Sequence, residues 1–193
     1  MKLSKDFWEE KYNKGDLKWD IGYISPPLKT YIDQLENKKI KILVPGAGNG
    51  YEVTYLHQLG FENVYVVDLA EQPLNFIASV CPGFPKNRLI QADFFDLEQE
   101  DFDLVLEQTF FCALPPERRS DYVQKMTELL KPDGKIVGLF FDFPLTENGP
   151  PFGGSKTEYE SLFQPYFQIK VLERAYNSIQ PRKDKELFFI FEK

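Results

Sequence analysis

The chain has 193 residues, the length of one domain with a substantial buried core. Its net charge of −7 and its pI near 4.9 argue against nucleic acid or an anionic membrane as a partner. No run of about 18 apolar residues occurs, and the N-terminal sequence has no apolar signal core. The two cysteines, Cys81 and Cys112, lack metal-ligand spacing, so we expect a cytoplasmic protein with reduced thiols and no metal site.

Apolar periodicity and turn residues divide the chain into alternating helices and strands. The predicted helices span residues 4–14, 26–35, 50–59, 71–80, 116–130 and 157–163. The predicted strands span residues 40–45, 64–68, 88–91, 102–106, 135–141, 167–173 and 186–191. A turn at Lys131-Pro-Asp-Gly134 is expected to lead into the fifth strand. This alternation predicts an α/β fold in which helices cover both faces of a mostly parallel sheet.

A glycine turn follows the first predicted strand. Gly46, Gly48 and Gly50 stand at alternate positions there, and Asp68 ends the second strand. This arrangement is typical of a site for a nucleotide-type cofactor. The glycines let the backbone approach a ligand, and an acidic side chain can accept hydrogen bonds from ribose hydroxyls.

Polar side chains follow the third and fourth strands as well, namely Asp93 and Gln108. Ligands of parallel sheets bind at the carboxyl ends of the strands. We therefore expect Asp93 and Gln108 to meet Asp68 and the glycine turn at one site.

The spacing around the glycine turn narrows the choice of cofactor. Tyr51 occupies the place of the third glycine in a dinucleotide-binding turn, and the Gly-Lys-Ser/Thr of a P-loop is absent. S-adenosylmethionine (SAM), which has a ribose but no phosphate, fits what remains. The run Gln91-Ala-Asp93-Phe94-Phe95 can bond its adenine amine and stack on the ring. Taken singly, Asp68 is also compatible with a solvated helix start and Asp93 with an N-cap, but their order along the chain favours the cofactor.

Several specific blocks of sequence accompany these features. They are Phe7-Trp8-Glu-Glu-Lys-Tyr12, Trp19-Asp20-x-Gly22, Val44-Pro-Gly-Ala-Gly-Asn-Gly-Tyr51, Ala92-Asp-Phe94, Phe102-Asp-Leu-Val-Leu-Glu-Gln-Thr-Phe-Phe-Cys-Ala113, Leu114-Pro-Pro-Glu-Arg-Arg119 and Gly149-Pro-Pro-Phe152. With these blocks, most of the chain resembles the thiopurine S-methyltransferase family, including its plant halide and thiol methyltransferase branch. The resemblance implies a Rossmann-like class I methyltransferase fold with a seven-stranded sheet.

The resemblance also implies an activity and a set of site residues. The activity is SAM-dependent methylation of a small soft nucleophile, of the thiol, thiopurine, halide or thiocyanate type. The implied cofactor contacts are Trp8, Tyr12, Trp19, Gly46, Asp68, Asp93, Phe94 and Gln108. Tyr12 and Gln108 stand where many relatives have Trp and Tyr. The family's substrate-side arginine corresponds to Arg119, with the adjacent Arg118 as the alternative.

The aromatic residues near the N-terminus suggest a lid. We expect a monomer with a single domain spanning residues 1–193, in which residues 1–36 form an N-terminal helical lid region. Trp8, Tyr12 and Trp19 would attract a sulfonium by cation–π interaction and exclude water. The alternative is that these rings only anchor an amphipathic helix on the core.

Transfer to a soft anion needs no general base. Alignment of reactants reaches effective molarities of about 10⁵–10⁸ M, whereas base catalysis contributes ~10²–10⁴-fold. We therefore expect a structural role for His57, the only histidine, and packing beneath the site for Cys112. Phe110 and Phe111 belong either to the core or to the wall of the substrate pocket.

Two other functions remain open. An oxygen or nitrogen acceptor would require a base, for which Glu107 and Asp142 are the candidates. A non-catalytic SAM-binding protein would need the cofactor pocket but no substrate chamber.

Overall fold

The computed structural model of the protein describes residues 3–193, so the first two residues of the expected lid region lie outside the described part. The helices within it are α1 (Lys5–Lys14), α2 (Pro26–Ile32), α3 (Tyr51–Gln58), α4 (Glu71–Val80), α5 (Arg119–Leu129) and α6 (Lys156–Phe163). The strands are β1 (Lys41–Pro45), β2 (Asn63–Asp68), β3 (Leu89–Gln91), β4 (Phe102–Gln108), β5 (Leu130–Phe141), β6 (Gln168–Arg174) and β7 (Glu186–Glu192). Each predicted helix and strand is confirmed, with shifted bounds. No helix in residues 3–193 combines the length and apolar composition needed to cross a bilayer.

The strands form one sheet in the order β3-β2-β1-β4-β5-β7-β6. Strands β1 to β5 pair in parallel, and β7 runs antiparallel to both β5 and β6. The predicted mostly parallel, seven-stranded sheet is therefore confirmed. The chain moves outward from β1 to β3 and then returns to place β4 on the other side of β1. Ligands bind at such a reversal of strand order.

Alternate strand residues face opposite sides of the sheet and build two cores. Leu43 and Val105 join a cluster with residues of α5 and α6. Their chain neighbours Val44 and Leu104 join a second cluster with residues of α2, α3 and α4. Helices therefore cover both faces, as the sequence predicts.

The start of β5 differs from the prediction. The run Lys131-Pro-Asp-Gly134 lies inside the strand, and Phe102 pairs with Leu130 whereas Leu104 pairs with Lys135. The extra residues of β5 bulge out at Asp133, whose φ is 63°. The predicted turn is thus a bulge within a longer strand, because pairing with β4 already begins at Leu130.

Gly138 of β5 lies so close to Glu107 of β4 that a larger residue at this position should destabilise the sheet. A Cβ there would lie 2.3 Å from the carbonyl oxygen of Glu107 and 2.5 Å from its Cβ. These atoms belong to β4 and have little freedom to move, so Gly138→Ala should lower the free energy of unfolding by about 2–3 kcal/mol. Urea denaturation measures this loss.

Gly60→Ala is the control for this prediction. An added Cβ at Gly60 meets no heavy atom within 4 Å, and the φ of 82° leaves only the strain of a left-handed backbone. That strain costs about 1 kcal/mol. Equal losses in the two variants would show that the contact with Glu107 is not the cause.

Candidate active site

A cavity of about 780 Å³ lies at the carboxyl ends of the parallel strands. Gly46 follows β1, Asp68 is the last residue of β2, and Asp93 follows β3. Phe110 follows β4, Phe141 ends β5, and all five residues line the cavity. The structure therefore brings the glycine turn together with two of the polar side chains that the sequence places at strand ends.

The turn after β1 requires glycine at two points. Gly46 has a φ of 58°, and a Cβ there would lie 2.4 Å from Cδ2 of Phe110. Gly50, with a φ of 66°, precedes α3, and its Cβ would lie 2.3 Å from Cγ1 of Ile77. Only glycine combines this backbone conformation with such close neighbours. Gly46, which lines the cavity, therefore presents backbone and no side chain to it.

Asp68 presents an acceptor to the cavity. Its Oδ1 accepts a hydrogen bond from the N–H of Ala70 at 2.9 Å. Burial raises the pKa of the Asp68 carboxyl to about 7, and backbone N–H groups oppose this in part. A carboxylate has about four acceptor positions, so Asp68 retains capacity for the hydroxyl groups of a ligand.

Asp93 and Phe94 form the neighbouring wall. Oδ1 of Asp93 accepts the N–H of Phe95 at 2.9 Å, so Asp93 caps a short 3-10 turn in addition to lining the cavity. Phe94 is 3% exposed, and its ring lies edge-on to Phe110 with 5.1 Å between centroids. An aromatic face beside a carboxylate suits an adenine ring and its amine.

Four aromatic rings of the N-terminal segment also line the cavity: Phe7 and three that are here called the aromatic cover, Trp8, Tyr12 and Trp19. The Trp19 ring lies edge to face with the rings of Trp8 and Tyr12, at centroid distances of 5.7 and 5.6 Å. None of the residues of α1, all of which the structure describes, is fully buried, and no ring of the cover belongs to either core cluster. The rings of the cover thus line the cavity from outside the two core clusters.

Gln108 does not line this cavity. It lines a smaller cavity of about 40 Å³, together with Asp20, Asn49 and Glu52. Its Oε1 is buried and has no hydrogen-bond partner among the described residues. The two cavities adjoin at Gly46, which lines both.

A family model for thiopurine S-methyltransferase (TPMT) matches residues 3–193. The chain belongs to this family. Two plant relatives, "Probable thiol methyltransferase 2" of Arabidopsis thaliana and "Thiocyanate methyltransferase 1" of Brassica oleracea, are 30% and 31% identical to it, over 93% of this chain and 81% of each relative. A "Thiopurine S-methyltransferase" of Vibrio cholerae is 29% identical, over 93% of this chain and 89% of the relative.

Solved structures share the fold. The 1,6-didemethyltoxoflavin-N1-methyltransferase of Burkholderia thailandensis, solved with S-adenosylhomocysteine, has a TM-score of 0.79 at 22% identity, covering 98% of this chain and 86% of that one. A TehB-like SAM-dependent methyltransferase of Corynebacterium glutamicum has a TM-score of 0.69 at 17% identity, with 98% and 97% covered. The predicted Rossmann-like class I fold is confirmed. Together with the family, this makes the TPMT-family protein a SAM-dependent methyltransferase.

The cavity of this TPMT-family enzyme fits SAM. Gly46 lines the cavity without a side chain, so a ligand can approach its backbone. The Asp68 carboxylate offers free acceptor positions for a ribose, and the aromatic cover offers π faces for a sulfonium. The fit requires no phosphate-binding group.

The sequence analysis expects Arg119 on the substrate side of the site, but the structure places Arg119 elsewhere. Arg119 is 3% exposed and does not line the cavity, because its Nη2 donates to the carbonyl of Gly153 at 2.7 Å and its Nη1 pairs with Glu158. Arg118 does line the cavity, and its guanidinium lies 3.9 Å from the centroid of the Phe95 ring. The cavity position therefore belongs to Arg118, the alternative in the sequence analysis.

Arg119 instead holds the loop that precedes α6. This loop includes Gly149, Pro150 and Pro151, which line the cavity. The bond to Gly153 and the pair with Glu158 tie the end of the loop to the first turn of α5. The Gly-Pro-Pro block of the family thus forms a wall whose support comes from the buried arginine.

The structure separates the two phenylalanines of the family block. Phe110 lines the cavity, whereas Phe111 is 1% exposed and belongs to the core. The ring of Phe111 packs against those of Tyr122 and Phe140, at centroid distances of 5.0 and 4.7 Å. Of the two candidates on the substrate side, only Phe110 is in place for that role.

Neither candidate base lines the cavity. Glu107 is fully buried, and its Oε1 accepts the N–H groups of Phe110 and Phe111 at 2.8 and 2.9 Å. Its Oε2 accepts the hydroxyl of Tyr122 at 2.9 Å. Asp142 pairs with Arg174 at 2.5 Å. Both carboxylates are therefore engaged in structural contacts.

The histidine and the cysteine near the site have structural surroundings. His57 lies edge-on to Phe84, with 5.7 Å between ring centroids, and does not line the cavity. Cys112 lines the cavity but donates its thiol proton to the carbonyl of Thr109 at 3.3 Å. Burial raises the pKa of the Cys112 thiol, which keeps it protonated near neutral pH.

The sequence-based set missed several cavity residues, among them an arginine. Arg182, in the loop between β6 and β7, lines the cavity, and its Nη2 donates to the carbonyl of Trp19 at 2.7 Å. No motif marks it, because the two residues lie at opposite ends of the chain.

The buried Glu107 carboxyl makes protein stability depend on pH. Burial raises its pKa from 4.5 to about 7, so its stabilising contribution is complete below pH 4.5 and is lost as the pH rises through 7. In Glu107→Gln, Oε1 still accepts the two N–H groups and the amide mimics the protonated carboxyl. The stability of this variant relative to the unmutated protein should therefore rise by roughly 3 kcal/mol between pH 4.5 and 8.

Urea denaturation at several pH values measures this difference. Asp68, whose pKa is also raised, is present in both proteins, so its contribution cancels. A stability difference that does not change with pH would contradict the assignment.

Proposed function

We propose that this TPMT-family enzyme transfers the methyl group of SAM to a small soft anion, of the thiolate, thiopurine, halide or thiocyanate type, without a general base. The observation that carries the proposal is that Glu107 and Asp142, the carboxylates considered as bases, are bound elsewhere and do not line the cavity. The names of the plant and bacterial relatives, which include thiol, thiocyanate and thiopurine methyltransferases, support this class of acceptor.

In this proposal the polar wall binds the adenosyl portion of SAM. Asp68 accepts the ribose hydroxyls, Asp93 accepts the adenine amine, and Phe94 packs against the adenine ring. Gly46, which has no side chain, lets the ligand approach its backbone in the cavity. The unpaired Oε1 of Gln108 lies in the adjoining cavity, where it can accept a hydrogen bond from the ammonium group of SAM.

The aromatic cover serves the transfer itself. Bound SAM supplies an electrophilic methyl group on a positively charged sulfur. Trp8, Tyr12 and Trp19 stabilise a cation by their π faces and exclude water from the nucleophile. The expected lid region, residues 1–36 of a single domain spanning 1–193, belongs to this proposal.

Arg118 provides a positive charge on the acceptor side. Its guanidinium lies over Phe95 and pairs with Asp121 at 2.7 Å, so it is held at the cavity. Phe110 and the Gly-Pro-Pro wall provide apolar surface. A charged donor beside apolar surface suits a polarisable anion, which needs alignment but no deprotonation.

We further propose that the enzyme acts as a cytoplasmic monomer without a nucleic acid partner. The net charge of −7 supports the last point, because it repels polyanions. Sedimentation over a range of protein concentrations tests the monomer.

A panel of acceptors tests the proposed function. The enzyme is incubated with methyl-labelled SAM and either thiols, thiopurines, iodide and thiocyanate or matched phenols and amines, and both volatile and soluble products are counted. We expect label in the soft acceptors, and for thiols a rate that follows the thiolate fraction of the acceptor. Transfer restricted to phenols or amines would contradict the proposal.

Cofactor binding should weaken in acid because of Asp68. Its pKa is near 7 without ligand, and ribose hydroxyls bind the ionised form, so protons compete with the cofactor below pH 7. The Kd of S-adenosylhomocysteine should rise by at most about tenfold per pH unit below 7. Asp68→Asn should bind about tenfold or more weakly, with a flat pH profile. Calorimetry from pH 8 to 5.5 measures both, and a constant Kd for the unmutated enzyme would contradict the role of Asp68.

Arg118→Gln should impair anionic acceptors selectively. The side chain is 43% exposed, so its attraction is partly screened, and we expect KM for thiocyanate to rise roughly fivefold, less at high salt. KM for a neutral acceptor should change little. Arg88→Gln, which removes the same charge outside the cavity, is the control. Equal effects of the two substitutions would argue against capture of the anion by Arg118.

A further inference from the structure

The loop between β6 and β7 is bonded to the N-terminal segment that covers the cavity. Nη2 of Arg182 donates to the carbonyl oxygen of Trp19 at 2.7 Å, across 163 positions of sequence. The next residue, Asp20, accepts the side-chain amide of Asn49 in the glycine turn at 2.6 Å. The backbone beside Trp19 is therefore held from two sides of the cavity.

Arg182 is itself firmly placed. Its side chain is only 11% exposed, and Nη1 donates to Oε1 of Glu186 at 3.3 Å. Glu186 is 3% exposed and pairs with Phe141 in the β5–β7 ladder. The guanidinium thus connects a central strand pair of the sheet to the Trp19 carbonyl, and a planar fork with several donors can serve both acceptors at once.

Trp19 is the ring to which the rest of the aromatic cover is packed. The rings of Trp8 and Tyr12 each meet it edge to face. Helix α1, which carries these two rings, has no fully buried residue of its own. The position of Trp19 consequently contributes to the position of the whole cover, beside the hydrogen bond that Gln72 of α4 donates to Asn13 of α1.

We propose that Arg182 is a positioning residue that holds the aromatic cover closed through the Trp19 carbonyl. This inference rests on the proposed role of Trp8 and Trp19 as a lid. It adds that a residue of the loop between β6 and β7 holds this lid through a hydrogen bond. It also separates Arg182 from Arg118, whose guanidinium pairs with Asp121 and lies over the Phe95 ring.

Tryptophan fluorescence tests the proposal directly, because the chain has two tryptophans and both belong to the cover. The variants are Arg182→Met, which removes the donors, and Arg182→Lys, which keeps the charge but not the fork. Arg174→Met is the control: Arg174 ends β6, bonds Asp142 and the Asp184 carbonyl, and does not line the cavity. Acrylamide quenching is measured with and without S-adenosylhomocysteine, together with its Kd and the melting temperature.

We expect Arg182→Met to show more quenching and a longer emission wavelength without ligand, and partial recovery with S-adenosylhomocysteine. Its Kd should rise about tenfold, the effect of losing one charge-assisted hydrogen bond. Arg182→Lys should be intermediate, and Arg174→Met should match the unmutated enzyme.

Unchanged quenching in a folded Arg182→Met protein would overturn the proposal. If Arg182→Met does not fold, Arg182→Lys decides, since quenching equal to that of the unmutated enzyme would also overturn it. None of these readouts requires an acceptor, so a failure of the acceptor panel is distinguishable from a failure of the tether. Insensitivity of the unmutated enzyme's emission to S-adenosylhomocysteine would refute the lid on which the tether depends.

Discussion

The buried carboxylate of Glu107 determines how the chain leaves β4, and the shape of the cavity follows from it. One oxygen accepts two consecutive backbone N–H groups, those of Phe110 and Phe111, and the other accepts the hydroxyl of Tyr122. These bonds form a tight turn in which Phe110 projects into the cavity and Phe111 into the core. A fully buried carboxyl is costly unless its acceptors are used, and here each oxygen has a donor.

The cavity is assembled from both ends of the chain, and its charge differs from that of the whole protein. The protein carries a net charge of −7, whereas the cavity is lined by five cationic side chains, Lys5, Lys11, Lys18, Arg118 and Arg182, and four acidic ones, Asp16, Asp68, Asp93 and Glu117. Some of these charges are paired, as Lys11 is with Asp16 and Arg118 with Asp121. Because cationic and acidic side chains nearly balance in the lining, the cavity is less negative than the outer surface, whose field repels large polyanions.

Three arginines around the cavity have different tasks because their partners differ. Arg119 is buried and bonds Gly153 and Glu158, so it supports a wall. Arg182 bonds a carbonyl of the N-terminal segment and so acts on the cover. Arg118 is partly exposed over Phe95 and can meet a solute. The same guanidinium is structural or functional according to burial and to the acceptors that its fork already serves.

The sequence by itself determined the strands and helices, the glycine turn, and the carboxylates Asp68 and Asp93 at strand ends. These features depend on periodicity and on neighbours along the chain, and parallel strands bring their carboxyl ends to one edge. Only the tertiary structure decided that Arg118 and not Arg119 lines the cavity, and that Gln108 faces an adjoining one. Short 3-10 turns carry no long apolar period, so side-chain direction there depends on distant contacts such as the support that Arg119 gives to Gly153. The bond of Arg182 to Trp19 joins residues 163 positions apart, and no local pattern encodes it.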